Sequence, residues 1–201
     1  MAEFEVSRTP LRRVLTRLES EVLLRAEQGV GTIVTDVDIE ALLQVYQLRM
    51  ELAELIGTLT PIAVKEIDLP TFNQFSARGR ALVKRPTIRE FSELNMDFVH
   101  AVFRLTDNKP LREISERLYY QTARIWIKSI PHMDLLAESE VFYQEIQSVL
   151  QALSIGDLSA VGHIQRTHIS MSFTRLVHFD NERTTLCDDN TNPMRSTGIS
   201  V

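Results

Sequence analysis

Cysteine is nearly absent from this sequence. One Cys in 201 residues cannot form an internal disulfide, and it suits a chain made for a reducing cytoplasm. Glycine and proline number only seven each, too few for a loop-rich β fold. No apolar run approaches the roughly 18 residues that a membrane span needs. The opening MAEFEVSRTP holds no apolar signal core, so cytoplasmic residence is expected. An excess of positive charge is missing too: 22 Lys and Arg against 27 Asp and Glu leave a formal net charge of −5. Bulk attraction to phosphate is thereby excluded, and any nucleic-acid contact must come from a local cluster. What remains is an ordinary globular composition, long enough for one large domain or two small ones.

A local basic cluster is present. Arg8, Arg12, Arg13 and Arg17 fall within ten residues. The spacing predicts a helix over 7–21, with Ser7 as N-cap, Pro10 early, and Leu11, Val14, Leu15 and Leu18 on one side. By itself such an arginine row is either a solvated helix face or a phosphate-contacting one. Residues 23–25 and 31–34 read as two short strands, with the reversal between them over 27–31.

From Asp36 the pattern is helical almost throughout. Ile39, Leu42, Leu43, Tyr46, Met50 and Ala53 make a stripe closed by Gly57 and Pro61. A weaker helix is expected over 69–82. Thr87 and Glu90 have capping-box spacing ahead of Phe91, Leu94, Phe98, Val102 and Leu105. Asn108 and Pro110 punctuate before Leu111, Ile114, Leu118, Thr122 and Ile125, a run that Pro131 ends. Phe142, Ile146, Val149, Leu150 and Leu153 follow, ended by Gly156. The last stripe is Leu158, Val161, Gln165, His168, Ile169 and Leu176. Six amphipathic helices on short connections describe a helical bundle. Beyond His178 the chain turns polar, and disorder is expected there. No nucleophile–base pair, Gly-rich phosphate loop or paired-carboxylate signature appears, so an enzyme is not expected.

The order of these pieces carries more than any one of them. Ser7-Arg8-Thr9-Pro10-Leu11-Arg12, then Arg17-Leu18-Glu19, then Gly29-Val30-Gly31, resembles the recognition helix and wing of GntR-family regulators. The remainder resembles the C-terminal sensing domain of their FCD branch. Its markers are Tyr46-Gln47-Leu48-Arg49, Phe91-Ser92-Glu93-Leu94-Asn95, Asn108 ahead of Pro110, and Gly156-Asp157. The likeness covers residues 4 to 178. It implies an all-α antiparallel bundle behind a partial winged helix-turn-helix: a DNA-binding part over 1–35, an effector-binding and dimerising domain over 36–178, and a tail over 179–201. The implied partners are operator DNA, a small-molecule effector and a second copy of the chain. Ser7, Arg8, Thr9 and Arg12 correspond to DNA-contacting positions, and Gln28 and Gly29 to the wing tip. The chemistry agrees, since a helix N-terminus holds phosphate and arginine reads guanine bidentately.

Two departures stand out. Only six residues precede Ser7, and Phe4 and Val6 cannot cover Leu11, Val14, Leu15 and Leu18. Each buried Leu contributes roughly 1.5–3 kcal/mol, so the uncovered face is a substantial loss. The expectation is that Met1 is an internal start, or that the gene has lost its 5′ end, with DNA binding weakened. An alternative is a truncated paralogue that dimerises but does not bind DNA by itself. Second, Val22 stands where the family places the glycine that ends the recognition helix, and a β-branched residue resists the left-handed conformation.

Many FCD domains hold a divalent metal through an Asp or Asn and three His. The corresponding positions here are Asn95, Val99, Ile146 and His168. One imidazole and one amide make a very poor transition-metal site, so neither metal nor cofactor is expected. His100 is predicted to point away from the Phe91–Phe98–Leu105 stripe, and His163 away from His168. The resemblance therefore implies a metal-free cavity touched by Arg49, Asn95, Val99, Ile146 and His168, with Gln165 near its rim. Apolar Val99 and Ile146 suit an anionic or acyl-type effector more hydrophobic than a chelated hydroxy acid. Arg49 either reaches inward to that anion or pairs with an acidic neighbour. His168 is either an effector contact or a hydrogen-bonded core residue.

Overall fold

A computed structural model describes residues 8–20, 24–27, 29, 31–34 and 39–189, with some side chains in those spans left aside. Helix α1, Arg8–Ser20, leads into a two-stranded antiparallel hairpin, β1 (Leu24–Glu27) and β2 (Gly31–Val34). Its register pairs Leu24 with Val34 and Glu27 with Gly31. Gly29 has φ +83° and Gly31 φ +109°, left-handed values that explain why glycine occupies the reversal. The hairpin is shifted slightly from the expected one, starting at Leu24. Ser7 and Val22 lie outside the described residues, as do Phe4 and Val6. Leu11 and Val14 on α1 are exposed at 37% and 54%, so the apolar face of that helix is only partly covered.

Six helices follow, each where a stripe predicted one. They are α2 (Ile39–Ile56), α3 (Leu69–Lys84), α4 (Ile88–Phe103), α5 (Lys109–Ser129), α6 (Leu135–Ser154) and α7 (Leu158–Asp189). The punctuation works as local chemistry. Thr87 accepts a hydrogen bond from the Glu90 N–H, and Asn108 accepts one from the Leu111 N–H, each satisfying a helix-start donor that would otherwise lack a partner. Pro131 ends α5 in a single 3₁₀ turn, and Gly156, at φ +76°, turns the chain between α6 and α7. Thr106, fully buried, donates to the carbonyls of Leu59 and Thr60, tying the α2–α3 connection to the α4–α5 connection.

The bundle has two apolar clusters. The larger joins α3, α4 and α6 through edge-on rings of Phe72, Phe75, Phe98 and Phe142, with Phe91 tilted against Phe142. The smaller packs Leu42 and Tyr46 of α2 against Ile125 of α5 and Leu176 of α7. Helices α2 and α7 approach backbone to backbone at Gly57 and Gly162. A Cβ on Gly162 would lie 2.8 Å from the Glu54 carbonyl oxygen.

Three expectations are corrected. Leu43 and Ile114 are exposed, because their stripes wind away from the core at those positions. The disordered tail from residue 179 is overturned as far as Asp189, since α7 continues to that residue. No Gly or Pro interrupts the chain between Gly162 and Pro193, so nothing local stops the helix. Residues 190–201 lie outside the described residues. No helix among the described residues is long and apolar enough to cross a membrane.

Candidate functional site

A cavity of about 400 Å³ lies between the two clusters, walled by α2, α4, α5, α6 and α7. Helical spacing selects its lining. From α4 come Phe91, Ser92, Asn95, Met96 and Val99; from α6 come Glu138, Val141, Phe142 and Glu145, at positions i, i+3, i+4 and i+7. Tyr46 and Arg49 enter from α2, and Tyr119, Thr122 and Trp126 are among the residues entering from α5. Helix α7 adds Gln165, His168, Ile169, Ser172 and Arg175. The wall is mainly apolar and rich in aromatic rings, with a few convergent polar groups, the usual make-up of a small-molecule pocket.

Arg49 is the central cation. Its guanidinium donates to the Thr122 hydroxyl and stands 5.5 Å from the Tyr46 ring centroid and 5.6 Å from that of Tyr119. Cation–π attraction and one neutral hydrogen bond hold it, and no carboxylate is bonded to it. Burial pulls its pKa down, against the pull of Tyr46, Tyr119 and Glu145. Arginine still keeps its charge at pH 7.

Two carboxylates face the same space. Glu138 is engaged bidentately by Arg175, at 2.8 and 3.0 Å. Glu145 accepts from the Gln165 amide at 2.8 Å and lies 3.7 Å from His168 Nδ1. Burial pushes the Glu145 carboxyl up to about 7, although the Gln165 hydrogen bond and the charges of Arg49 and Arg175 favour its ionised form. Burial and the Arg175 charge lower the His168 pKa, which favours the neutral imidazole. The Tyr119 hydroxyl donates to Asn95 Oδ1 at 2.9 Å, and burial raises its pKa.

The structure brings together Arg49, Asn95, Val99 and His168 of the expected set, and Gln165 with them. Ile146 is a correction. It is fully buried but turns toward α3, where a Cβ on Gly79 would come within 3.3 Å of its Cδ1. The cavity instead receives its neighbour Glu145. Sequence reasoning missed Glu138, Glu145 and Arg175; the i, i+3, i+4, i+7 spacing of α6 around Phe142 was the available signal.

The family's metal positions do not fit a metal here. Ile146 points into the core, Val99 offers no donor, and the Asn95 oxygen is taken by Tyr119. Among the described residues, no group of three or more His, Cys, Asp or Glu is placed to hold an ion. His100 faces Tyr120 at 3.0 Å and Glu116 at 3.4 Å, outside the cavity wall. His163 is largely exposed beside Glu54.

At the N-terminal end Arg12 and Arg13 are exposed on α1, and Gly29 is exposed in the hairpin reversal. Ser7 and Gln28, and the side chains of Arg8 and Thr9, lie outside the described residues.

An arginine-bearing helix and hairpin ahead of a cavity-forming helical bundle is the build of a DNA-binding transcription regulator. The FCD domain family matches residues 44–171, and residues 1–34 match the family described as bacterial regulatory proteins, gntR family. The chain belongs to the FCD branch of the GntR-type transcription regulators.

Solved structures share its fold. It resembles Escherichia coli McbR/YncC with a TM-score of 0.77 at 18% identity, over 88% of this chain and 83% of that one. It also resembles a putative GntR transcriptional regulator from Rhodococcus sp. RHA1, with a TM-score of 0.69 at 15% identity over 88% and 83%. A GntR-family regulator from Pseudomonas syringae pv. tomato DC3000 gives 0.57 at 19% over 90% and 74%. No curated protein matches in sequence.

Proposed function

We propose that this regulator is effector-responsive: residues 36–178 bind a small anionic or acyl-type ligand, and residues 1–35 contact operator DNA. The observation that carries the reading is the partly buried Arg49 guanidinium, which faces an aromatic cavity and, among the described residues, has only a neutral hydroxyl bonded to it. An anion there gains a charge-assisted hydrogen bond in a medium of low dielectric. The aromatic walls accept an apolar body, and no metal is needed to hold the anion. Tyr46, Trp126 and Ile169 belong both to the cavity wall and to the cluster that anchors the start of α2. A ligand that shifts them shifts the helix nearest the DNA-reading part in sequence.

The protein acts in the cytoplasm as a homodimer and not as an enzyme. Leu48 and Leu55, exposed two turns apart on one face of α2, give a second copy an apolar strip to cover. DNA contact is assigned to Ser7, Arg8, Thr9 and Arg12 on the recognition helix, and to Gln28 and Gly29 on the wing.

Two measurements test this. Native mass spectrometry of the purified protein is expected to detect a bound anionic small molecule that Arg49→Gln releases. A ligand retained equally by the variant counts against Arg49 as its anchor. In fluorescence anisotropy with DNA from upstream of its own gene, Arg12→Ala is expected to weaken binding by roughly 5- to 150-fold, about 1–3 kcal/mol. An unchanged titration removes α1 from the interface.

A further inference from the structure

Charge bookkeeping in the cavity narrows the ligand class, on the reading that this cavity is the effector site. Arg175 and Glu138 neutralise each other bidentately and leave no net charge to satisfy. Glu93 lines the rim but is paired outward with Arg89, and Arg124, which also lines the wall, is engaged in interactions of its own. Arg49 and Glu145 differ from these. Each lines the same space and, among the described residues, each is hydrogen-bonded only to a neutral group, Thr122 or Gln165, with no direct ion pair joining them. They sense each other's charge across the cavity. A partly buried cation and a partly buried acid held apart in one cavity complement a ligand that carries both charges itself. An anion alone would satisfy Arg49 and place a second negative charge near Glu145. A cation alone would do the reverse. A dipolar ligand satisfies both.

We propose that the cavity takes an apolar α-amino acid, or a close derivative that keeps both charges, with its carboxylate on Arg49 and its ammonium on Glu145. The remaining walls suit the rest of such a molecule. The rings of Tyr46, Tyr119, Trp126 and Phe142 receive an apolar side chain and present π faces to the ammonium. The volume of about 400 Å³ falls within the range of small-molecule pockets.

The test is isothermal titration calorimetry on the full chain with L-leucine, L-methionine and L-phenylalanine. Each is compared with its deamino carboxylate (4-methylpentanoate, 4-(methylthio)butanoate, 3-phenylpropanoate) and its decarboxylated amine. At least one amino acid is expected to bind tenfold or more tighter than both of its counterparts. Glu145→Gln is expected to remove that preference by weakening the amino acid at least tenfold while sparing the carboxylate, and Arg49→Gln to weaken both. Because the wild-type comparison needs no variant, the result stands even if a substitution impairs folding. If a carboxylate binds as tightly as its amino acid, or Glu145→Gln leaves the preference intact, the dipolar ligand is overturned while the anionic effector site survives. Failure of all nine compounds to bind, with no ligand detected by native mass spectrometry, overturns both.

Discussion

Gly57→Ala is expected to lower the unfolding free energy by about 3 kcal/mol, the upper range for overpacking a close contact. A Cβ built on Gly57 would stand 1.9 Å from the Leu158 carbonyl oxygen and 2.9 Å from the Ser159 Cα. These are backbone atoms at the start of α7, so no side chain can rotate aside. In a chain of this size the loss corresponds to a melting-temperature drop of roughly 6–12 °C. Gly162→Ala is the informative companion. Inside a helix, alanine is favoured over glycine by about 1 kcal/mol. Here the new methyl would meet the Glu54 and Ala53 carbonyl oxygens at 2.8 and 3.0 Å, so destabilisation is expected to win. Urea unfolding of both variants checks the pair. A neutral or stabilised Gly162→Ala would show that α2 and α7 can part without cost.

The second large effect is on pH dependence. Glu145 has its pKa raised from 4.5 to about 7 by burial. Below pH 4.5 the folded and unfolded chains both hold the proton. Between 4.5 and 7 only the folded chain holds it, so stability falls as pH rises. Above 7 both have lost it and the dependence ends. The full shift corresponds to roughly 3.4 kcal/mol, of which the interval from pH 4.5 to 7.5 covers most. His168 acts with the opposite slope: its lowered pKa means that stability falls as pH drops below its ordinary value. Arg49, which also faces Glu145, keeps its charge across this range, and Gln165 does not titrate. Comparing wild type with Glu145→Gln therefore reports the carboxyl together with the change its loss makes at His168, 3.7 Å away. The wild type is expected to lose roughly 2–3 kcal/mol relative to the variant between pH 4.5 and 7.5, measured by urea unfolding across that range. A constant difference would mean that Glu145 is solvated in the folded protein. Because this acid is half-ionised near neutrality, an ammonium group placed against it would shift it fully to the charged form.

Much of this site was readable in the sequence through family likeness. The family likeness points to Asn95, Val99 and His168, and all three line the cavity. Arg49 was set at the edge of an apolar stripe, with inward reach and surface pairing both open; the structure gives it no carboxylate partner. Ile146 and Glu145 show where that reasoning stopped. Periodicity says that a residue is buried, but not which neighbouring helix it is buried against. The contact of Ile146 with α3 depends on Gly79, sixty-seven positions away in sequence, having no side chain in the way.

The sequence by itself determined the six helices and most of their ends, because 3.6-residue periodicity, Thr87, Asn108, Pro131 and Gly156 act within a few residues of where they stand. Through the family likeness it also put Val99 and Ile146, side chains without donor atoms, where the family's metal ligands are expected. Only the tertiary structure decided what takes their place. That Arg49 and Glu145 face one cavity without joining, while Arg175 claims Glu138, follows from how α2, α6 and α7 pack. Electrostatic partnership depends on distances of a few ångströms between helices, and local sequence does not encode those distances.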